Sequence, residues 1–327
     1  MIAIVGAGSM GSMFGGLLTR AGHDVVLIDV DPSHVAAVAA DGLTLQQDGL
    51  PDEVVRPRAT TDASSVRGVT HAIVLTKSWA TSAAARALLP ALNEDAVVGT
   101  VQNGLGNDRA LASILGEHRV LGGTTTSGAE LVGPGVVRLS PITTVGGSLT
   151  ELAPLRPGLL DERDLRSRAG VLADLLSGAG LPARVRDDLG EVVWTKLCLA
   201  ATAAPLTAAL RCTVEDLLVS PSASSLLEAM LVEILAVAAA DGVHLDAAAV
   251  RDHMLTVFRA VGPHQTSMAV DVAKGRRTEI DAMCIAIAAR GREHGVPTPT
   301  HETIGRMIVA YEELRGLRAA EEEHDDE

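Results

Sequence analysis

Short apolar runs alternate with longer runs of helical periodicity through the first half of the chain. The runs at 2–5 and 25–28 are wholly apolar, as in strands that are buried on both faces of a parallel sheet. Further candidate strands lie at residues 71–76, 96–102 and 120–125. Alanine-rich stretches with helical spacing stand between and after these strands, at residues 9–21, 80–92, 107–115 and 165–178. Because strands alternate with helices, the pattern predicts βαβ units and a doubly wound, mostly parallel α/β sheet.

The pattern changes after residue 136. Residues 136–149 are β-branched and glycine-rich, which predicts an antiparallel extension of the sheet. The two prolines in 152–160 predict a loop, and residues 183–185 are a candidate last strand. From residue 189 onward nearly every stretch predicts helix, with candidates at 189–210, 222–241, 246–260, 279–294 and 298–317.

These patterns divide the chain into three parts. We predict an α/β domain over residues 1–187 and an all-helical domain over residues 188–318. The remaining residues, 319–327, are mostly acidic and predict a disordered tail. A length of 327 residues is sufficient for two domains with a core each.

Composition narrows the possible partners. The formal net charge of −14 argues against a nucleic-acid partner and against binding to an anionic membrane surface. The chain opens directly into a strand, and no apolar run of about 18 residues lacks polar interruption. Three widely spaced cysteines and ten histidines show neither disulfide nor metal-ligand spacing. We therefore expect a cytoplasmic protein without a metal centre.

A glycine-rich turn, GAGSMG at residues 6–11, joins the first predicted strand to the first predicted helix. In a dinucleotide-binding turn, Gly6 would permit the tight turn, Gly8 the close approach of a pyrophosphate, and Gly11 the packing of helix on strand. The backbone N–H groups of Ser9 and Met10 would then face the anion. The context on both sides of the turn predicts a Rossmann domain that binds a dinucleotide.

Asp29 ends the second predicted strand, where a carboxylate accepts hydrogen bonds from an adenosine ribose and repels a 2′-phosphate. No arginine or lysine lies in 28–34, so the sequence favours NAD(H) over NADP(H). Asp31 has two alternative roles, as a second ribose ligand or as the cap of the helix that begins at Pro32. A flavin dinucleotide is a further alternative, although no additional flavin contacts are visible.

Seven further motifs extend the case over the whole chain. They are LTKSW at 75–79, QNGLG at 102–106, GTTT at 123–126, WTKL at 194–197, PLTA at 205–208, SMAVD at 267–271 and GRRTEID at 275–281. With these motifs in this order, the chain resembles the ketopantoate reductase family. The resemblance implies a Rossmann domain followed by a helical domain of the 6-phosphogluconate-dehydrogenase C-terminal-like type. It also implies hydride transfer from a reduced nicotinamide to the C2 carbonyl of a 2-oxo acid.

The resemblance also implies roles for single residues. Lys196 matches the catalytic lysine, whose ammonium group stabilises the developing alkoxide and supplies its proton. Glu279 matches a glutamate that orients this lysine or binds the substrate, and Ser267 matches a substrate-contacting serine. Asn103 and Lys77 match groups near the nicotinamide, and Asn103 also matches a substrate ligand. Four of these residues have a structural alternative, in which Lys196 is a surface lysine, Glu279 a first-turn glutamate, Ser267 a helix N-cap and Asn103 part of an ordinary turn.

The chain departs from the family pattern in two places. Where NADPH-dependent members tend to carry a basic residue, this chain has Val30 after Asp29. Where the family has substrate-binding asparagines four and eight residues after the lysine, this chain has Ala200 and Ala204, on the same helical face as Lys196. Both alanines leave a wider and more apolar substrate site.

We therefore expect an NADH-dependent reductase that converts a 2-oxo acid bulkier or more apolar than ketopantoate to a D-2-hydroxy acid. The family contains NAD-dependent members that act on branched or aromatic 2-oxo acids. The alternatives are a 2-dehydropantoate 2-reductase of pantothenate synthesis and a non-catalytic dinucleotide-binding protein. The alanine-rich C-terminal helices are a candidate face for a homodimer.

Overall fold

The structure is a computed structural model that describes residues 1–140, 149–156 and 163–318, without the side chains of 163–166. The predicted acidic tail, 319–327, lies outside the described residues. The described chain divides into two compact units. The first contains residues 1–102 and 107–192, and the second contains residues 103–106 together with the chain from Val193 onward. The predicted division at 187/188 stays a prediction.

The first unit is built on one large sheet. Its strands are β1 (Ile2–Val5), β2 (Val25–Ile28), β5 (Arg58–Thr60), β6 (Val69–Val74), β7 (Leu92–Thr100), β8 (Val120–Thr125), β11 (Thr150–Pro154) and β12 (Ala183–Val185). They run in the order β12-β11-β8-β7-β6-β1-β2-β5. All neighbours pair in parallel except β11, which is antiparallel to β8. The predicted α/β fold class is confirmed.

The central strands are apolar because they are covered on both faces. In β1, Ile2 and Ile4 belong to one buried cluster, whereas Ala3 and Val5 belong to another. The helices of this unit are α1 (Ser9–Arg20), α2 (Pro32–Asp41), α3 (Thr81–Leu88), α4 (Asn107–Leu115) and α5 (Arg163–Gly178). Helices α1 and α5 contribute to the first cluster, and α3 and α4 contribute to the second.

A second, four-stranded sheet corrects two expectations. It consists of β3 (Leu43–Gln47), β4 (Glu53–Val55), β9 (Ala129–Gly133) and β10 (Val136–Leu139). Its order is β4-β3-β10-β9, so Val136–Leu139 does not extend the large sheet. The antiparallel extension is instead β11, which overlaps the predicted loop at residues 152–154. The β-branched pattern indicated strands correctly, but it carries no information about which strand is the partner. Residues 141–148 and 157–162 lie outside the described residues.

The second unit is helical. Its helices are α6 (Leu189–Leu210, which begins in the first unit), α7 (Val214–Val219), α8 (Pro221–Ala240), α9 (Ala247–Val261), α10 (Ser267–Ala273), a π-helical segment (Asp281–Ile285), α11 (Ala286–His294) and α12 (Pro299–Leu314). One apolar cluster includes residues of α6, α8, α9, α10 and the π-helical segment. The sequence pattern missed α7 and α10 because each is shorter than two helical turns.

Helices α6 and α8 are long and apolar enough to cross a membrane, by length and composition alone. The most apolar windows of these helices are 67% and 44% buried inside the protein, and the core helices of soluble proteins pass the same test. Length and composition alone are therefore not sufficient to assign α6 or α8 as a membrane span.

Candidate active site

The glycine-rich turn has the geometry that a bound pyrophosphate requires. Gly6 has φ +89°, and a Cβ there would lie 2.6 Å from the backbone N of Thr76. A Cβ on Gly11 would lie 1.9 Å from the carbonyl oxygen of Gly6, so α1 packs closely on the turn. In contrast, a Cβ on Gly8 would meet nothing within 4 Å. No side chain caps the start of α1, and its first turn has no acidic residue. These residues fit a dinucleotide phosphate group.

Hydrogen bonds from neighbouring elements fix the turn. The Ser12 hydroxyl donates to the carbonyl of Ala7 at 2.7 Å and contacts His34 Nε2 at 3.1 Å. Because the amide of Gly135 donates to His34 Nδ1 at 3.1 Å, His34 is neutral and carries its proton on Nε2. The Ser9 hydroxyl accepts a hydrogen bond from the amide of Leu131 at 3.0 Å. Ser9 therefore has a structural partner within the protein.

The end of β2 is acidic. One carboxylate oxygen of Asp29 accepts from the amide of Asp31 at 2.9 Å, and the next residue, Val30, is 93% exposed. Asp31 caps α2, because its carboxylate accepts from the amides of Ser33 and His34. Hydrogen bonds from Ser33 lower the pKa of Asp31 below its ordinary value. Of the two roles predicted for Asp31, ribose ligand and helix cap, the structure shows the helix cap.

Lys77 follows β6 and lies beside the glycine-rich turn. The amide of Leu75 donates to the carbonyl of Val5 at 2.7 Å, next to Gly6. The side chain of Gln102, at the end of β7, donates from Nε2 to the carbonyl of Thr76 at 2.7 Å. Lys77, the turn and Asp29 therefore lie together at the carboxyl ends of β1, β2 and β6, where open α/β sheets bind their ligands.

Asn103 begins a loop that packs on the helical unit near Glu279. The amide of Leu105 donates to the carbonyl of Ala282 at 2.8 Å. Gly104 has φ +91°, and a Cβ there would lie 2.3 Å from the same carbonyl oxygen. Glu279, three residues before Ala282, is only 9% exposed. The second unit therefore brings the Asn103 loop to the segment that carries Glu279.

Lys196 lies in the first half of α6 and is half-buried. Desolvation by the surrounding protein lowers its pKa below the ordinary value of 10.5. Burial therefore outweighs any stabilisation of the ammonium form by a neighbouring carboxylate. An ammonium group with a lowered pKa gives up its proton more readily, as a general acid must.

Ala200 and Ala204 follow Lys196 at spacings of four and eight residues on α6, and Ala204 is 5% exposed. One turn further, the hydroxyl of Thr207 lies 2.7 Å from that of Thr266. Thr266 caps α10, because its hydroxyl accepts from the amide of Ala269 at 3.3 Å. The alternative role of Ser267 as N-cap is therefore wrong, since the cap is the residue before it. Ser267 opens α10 and is exposed.

Sequence reasoning gave no role to Gln102, Thr207 or Thr266. The signal for Gln102 was present, because a polar residue directly after a strand stands where ligands bind. The threonine pair joins positions 59 residues apart in the chain, and no local pattern indicates such a contact. In the part of the chain that the structure describes, no group of three or more His, Cys, Asp or Glu side chains could hold a metal ion.

Comparison with known proteins agrees with this geometry. The sequence profile described as "Ketopantoate reductase PanE/ApbA" matches residues 2–149, and the one described as "Ketopantoate reductase PanE/ApbA C terminal" matches residues 188–312. The chain belongs to the ketopantoate reductase family. The resemblance inferred from the sequence motifs is thereby confirmed. As an oxidoreductase of this family, the protein uses a nicotinamide dinucleotide and a small-molecule substrate.

Individual relatives cover nearly the whole chain. A 2-dehydropantoate 2-reductase of Halobacterium salinarum is 32% identical over 94% of this chain and 97% of its own. A structure of D-mandelate dehydrogenase with NADH and anilino(oxo)acetate has 28% identity and a TM-score of 0.88, over 96% of this chain and 99% of its own. A PanE/ApbA family ketopantoate reductase from Ralstonia eutropha has 30% identity and a TM-score of 0.84, over 97% of this chain and 100% of its own.

Proposed function

We propose that this protein reduces the C2 carbonyl of a 2-oxo acid with NADH, to give a D-2-hydroxy acid. The substrate carries a side chain that is bulkier or more apolar than that of ketopantoate. The observation that carries this proposal is the line of Ala200 and Ala204 on the Lys196 face of α6, with Ala204 almost fully buried. Methyl groups at these positions offer no hydrogen bond to a substrate hydroxyl and present only apolar atoms to a substrate.

Each site residue has a role in the proposed reaction. A bound NADH supplies the hydride. As the carbonyl carbon is reduced, its π electron pair moves onto oxygen, and the Lys196 ammonium group donates a proton to that oxygen. Glu279 and Asn103 bind or orient the reacting groups, and Ser267 binds the substrate. Gly6, Gly8, Ser9, Met10 and Gly11 hold the pyrophosphate, and Lys77 lies toward the nicotinamide.

The preference for NADH rests on the charge at the end of β2. Asp29 and Asp31 place two carboxylates there, and a 2′-phosphate would be repelled by both. The arginine on the neighbouring strand, Arg58, lies beside Val26 at the other end of β2. Its guanidinium group donates to Asp24 at 2.9 Å. No cation of this strand pair therefore faces the ribose position.

D-mandelate dehydrogenase supports an aromatic or branched substrate, because mandelate is an aromatic 2-hydroxy acid and the protein was solved with NADH. The name of the Halobacterium salinarum relative favours a second candidate, reduction of ketopantoate itself. The two candidates share their chemistry and differ only in the group attached to C2.

The deciding experiment follows the absorbance of NADH and NADPH at about 340 nm with three acids: ketopantoate, 2-oxoisocaproate and phenylglyoxylate. We expect turnover of the two bulkier acids with NADH, and its loss in Lys196→Ala. Turnover confined to ketopantoate with NADPH would reject the proposed substrate and cofactor. Quenching of NADH fluorescence without oxidation of NADH by any acid would indicate a non-catalytic binding protein.

A matched variant tests the two alanines directly. Ala200→Asn and Ala204→Asn together restore the amides of the family pattern, and we expect kcat/KM to move toward ketopantoate by about 10- to 100-fold. Leu210→Asn, at an exposed position of the same helix, is the control and leaves the substrate preference unchanged. Cytoplasmic location and a homodimer stay predictions from the sequence.

A further inference from the structure

Two residues close to Glu279 in the chain, Thr278 and Asp281, are held by one partly buried network of hydrogen bonds and ion pairs. The backbone N–H and the hydroxyl of Thr278 both donate to Glu312 Oε1, at 2.7 and 2.6 Å. Arg318 donates from Nε to Glu312 Oε2 at 2.6 Å and from a terminal nitrogen to Asp281 Oδ2 at 2.9 Å. We call Thr278, Asp281, Glu312 and Arg318 the Glu279 clamp.

The chain turns back at the end of α12 and brings Arg318 close to Glu312 of the same helix. Gly316 has φ +66°, and its amide donates to the carbonyl of Glu313 at 3.0 Å. The amide of Leu317 donates to the carbonyl of Glu312 at 3.0 Å. This pair of bonds reverses the chain after the helix, so that the side chain of Arg318 reaches the carboxylate of Glu312.

Stability alone gives little reason for this arrangement. Glu312 and Thr278 are both fully buried. Removing a carboxylate and a guanidinium from water is costly, and well-packed apolar residues often stabilise a core as well as a buried ion pair does. An apolar pair could not, however, fix the direction of the backbone at Thr278 through two hydrogen bonds, nor could it hold Asp281.

The clamp also reaches the Asn103 loop. Asp281 is the first residue of the π-helical segment, and π-helical turns are frequent at functional sites. The next residue, Ala282, supplies the carbonyl that accepts from Leu105. A shift of Asp281 would therefore move the segment that follows Glu279. It would also move the Ala282 carbonyl, to which the Asn103 loop is hydrogen-bonded.

We propose that Glu312 and Arg318 are positioning residues of the active site, which hold Glu279 and the Asn103 loop for the 2-oxo acid. This inference rests on the proposed function, because it takes Glu279 and Asn103 as groups that act on that acid. Glu312 and Arg318 belong to the second unit, whereas the glycine-rich turn belongs to the first. Loss of the clamp should therefore impair the reduction of the acid and leave dinucleotide binding intact.

The test compares Arg318→Ala and Arg318→Lys with a control, Arg306→Ala, whose exposed guanidinium group pairs with Glu302 on the same helix. We expect Arg318→Ala to lower kcat/KM for the 2-oxo acid by up to about 100-fold, because small displacements of reacting groups have effects of this size. The dissociation constant of NADH stays within about twofold of wild type, and Arg318→Lys recovers part of the loss. Thr278→Val, which removes only one hydroxyl, lowers kcat/KM less.

A second measurement does not depend on turnover. Hydrogen exchange should rise in Arg318→Ala at residues 278–285 and 103–106, and should stay unchanged in Arg306→Ala. Wild-type activity and wild-type exchange in Arg318→Ala would overturn the inference, as would an equal loss of NADH binding, which indicates general unfolding. If wild-type protein reduces none of the acids, the proposed function fails, and the exchange data still decide whether the clamp positions these segments.

Discussion

At the scale of single residues, substitutions at Gly8 and Gly11 should have different effects, on dinucleotide binding at Gly8 and on stability at Gly11. Both glycines belong to the same turn, but a Cβ would meet nothing at Gly8 and a backbone oxygen at Gly11. We expect Gly8→Ala to keep the thermal stability of the wild type and to weaken NADH binding by about tenfold or more, because the methyl group occupies the path of the pyrophosphate. Gly11→Ala should lower the free energy of unfolding by about 1–3 kcal/mol.

Fluorescence titration with NADH and thermal unfolding of both variants distinguish these effects. If Gly8→Ala binds NADH as the wild type does, the pyrophosphate does not lie over this turn. If both variants lose stability equally, the open space at Gly8 has no functional meaning.

Lys196 predicts a pH dependence with a definite sign. Only the ammonium form donates a proton, and desolvation places its pKa below 10.5. The rate of carbonyl reduction should therefore fall as the pH rises through this lowered pKa. We expect Lys196→Gln to lose about 10²- to 10⁴-fold in kcat, the usual contribution of a general acid.

Lys196→Arg is the matched variant, because a guanidinium group stays charged across this range. Its residual activity should lack the alkaline decline in a profile of kcat/KM against pH. An unchanged decline in Lys196→Arg would assign the titration to another group.

At the scale of elements, the Asn103 loop contains two glycines, one of which can serve as a control for substitution of the other. Gly104 and Gly106 both have φ +91°, but only Gly104 is close to another backbone atom, the Ala282 carbonyl oxygen. We expect Gly106→Ala to lose about 1 kcal/mol from backbone strain alone. Gly104→Ala should also break the bond between Leu105 and Ala282 and lower kcat/KM for the 2-oxo acid.

Hydrogen exchange at the Leu105 amide, measured beside the kinetics, checks this prediction. Equal effects of the two substitutions on exchange and on kcat/KM would contradict it, because strain would then explain the whole change.

Local patterns predicted most strands of the large sheet and the long helices, including Val120–Thr125 and Leu189–Leu210 to the residue. They missed β5, and they predicted a loop over part of β11. They failed where pairing is non-local, as in β10, whose parallel partner β3 lies about 90 residues earlier in the chain. The same limit applies to the site. The glycine-rich turn and Lys196 could be found from motifs, whereas Arg318 acquires a role only because it folds back onto Glu312 and Asp281.

At the scale of the whole molecule, His34 links pH to stability. Burial lowers the pKa of His34 below its ordinary value of 6.5, against the opposing charges of Asp29 and Asp31. Between the lowered pKa and 6.5 the unfolded chain binds the additional proton, so the stability contributed by neutral His34 is present above 6.5 and is lost as the pH falls. Protonation of Nδ1 would also remove its hydrogen bond from Gly135.

We expect the free energy of unfolding and the affinity for NADH to decrease together as the pH falls from about 8 to about 5. His34→Gln should show a smaller decrease, because glutamine has one donor and one acceptor but does not titrate in this range. Denaturant unfolding and NADH titration across the range test this prediction. The same dependence in His34→Gln would refer the effect to other groups.

The path of the chain around residues 103–106 has a consequence for recombination between relatives. This four-residue loop belongs with the helical unit, although the sequence on both sides of it belongs to the first unit. A hybrid enzyme made with one crossover after the last strand would therefore set the loop of one parent against the Ala282 carbonyl of the other. Hybrids that keep cofactor preference and substrate preference as separate traits need two additional crossovers, so that the loop is inherited with the helices on which it packs.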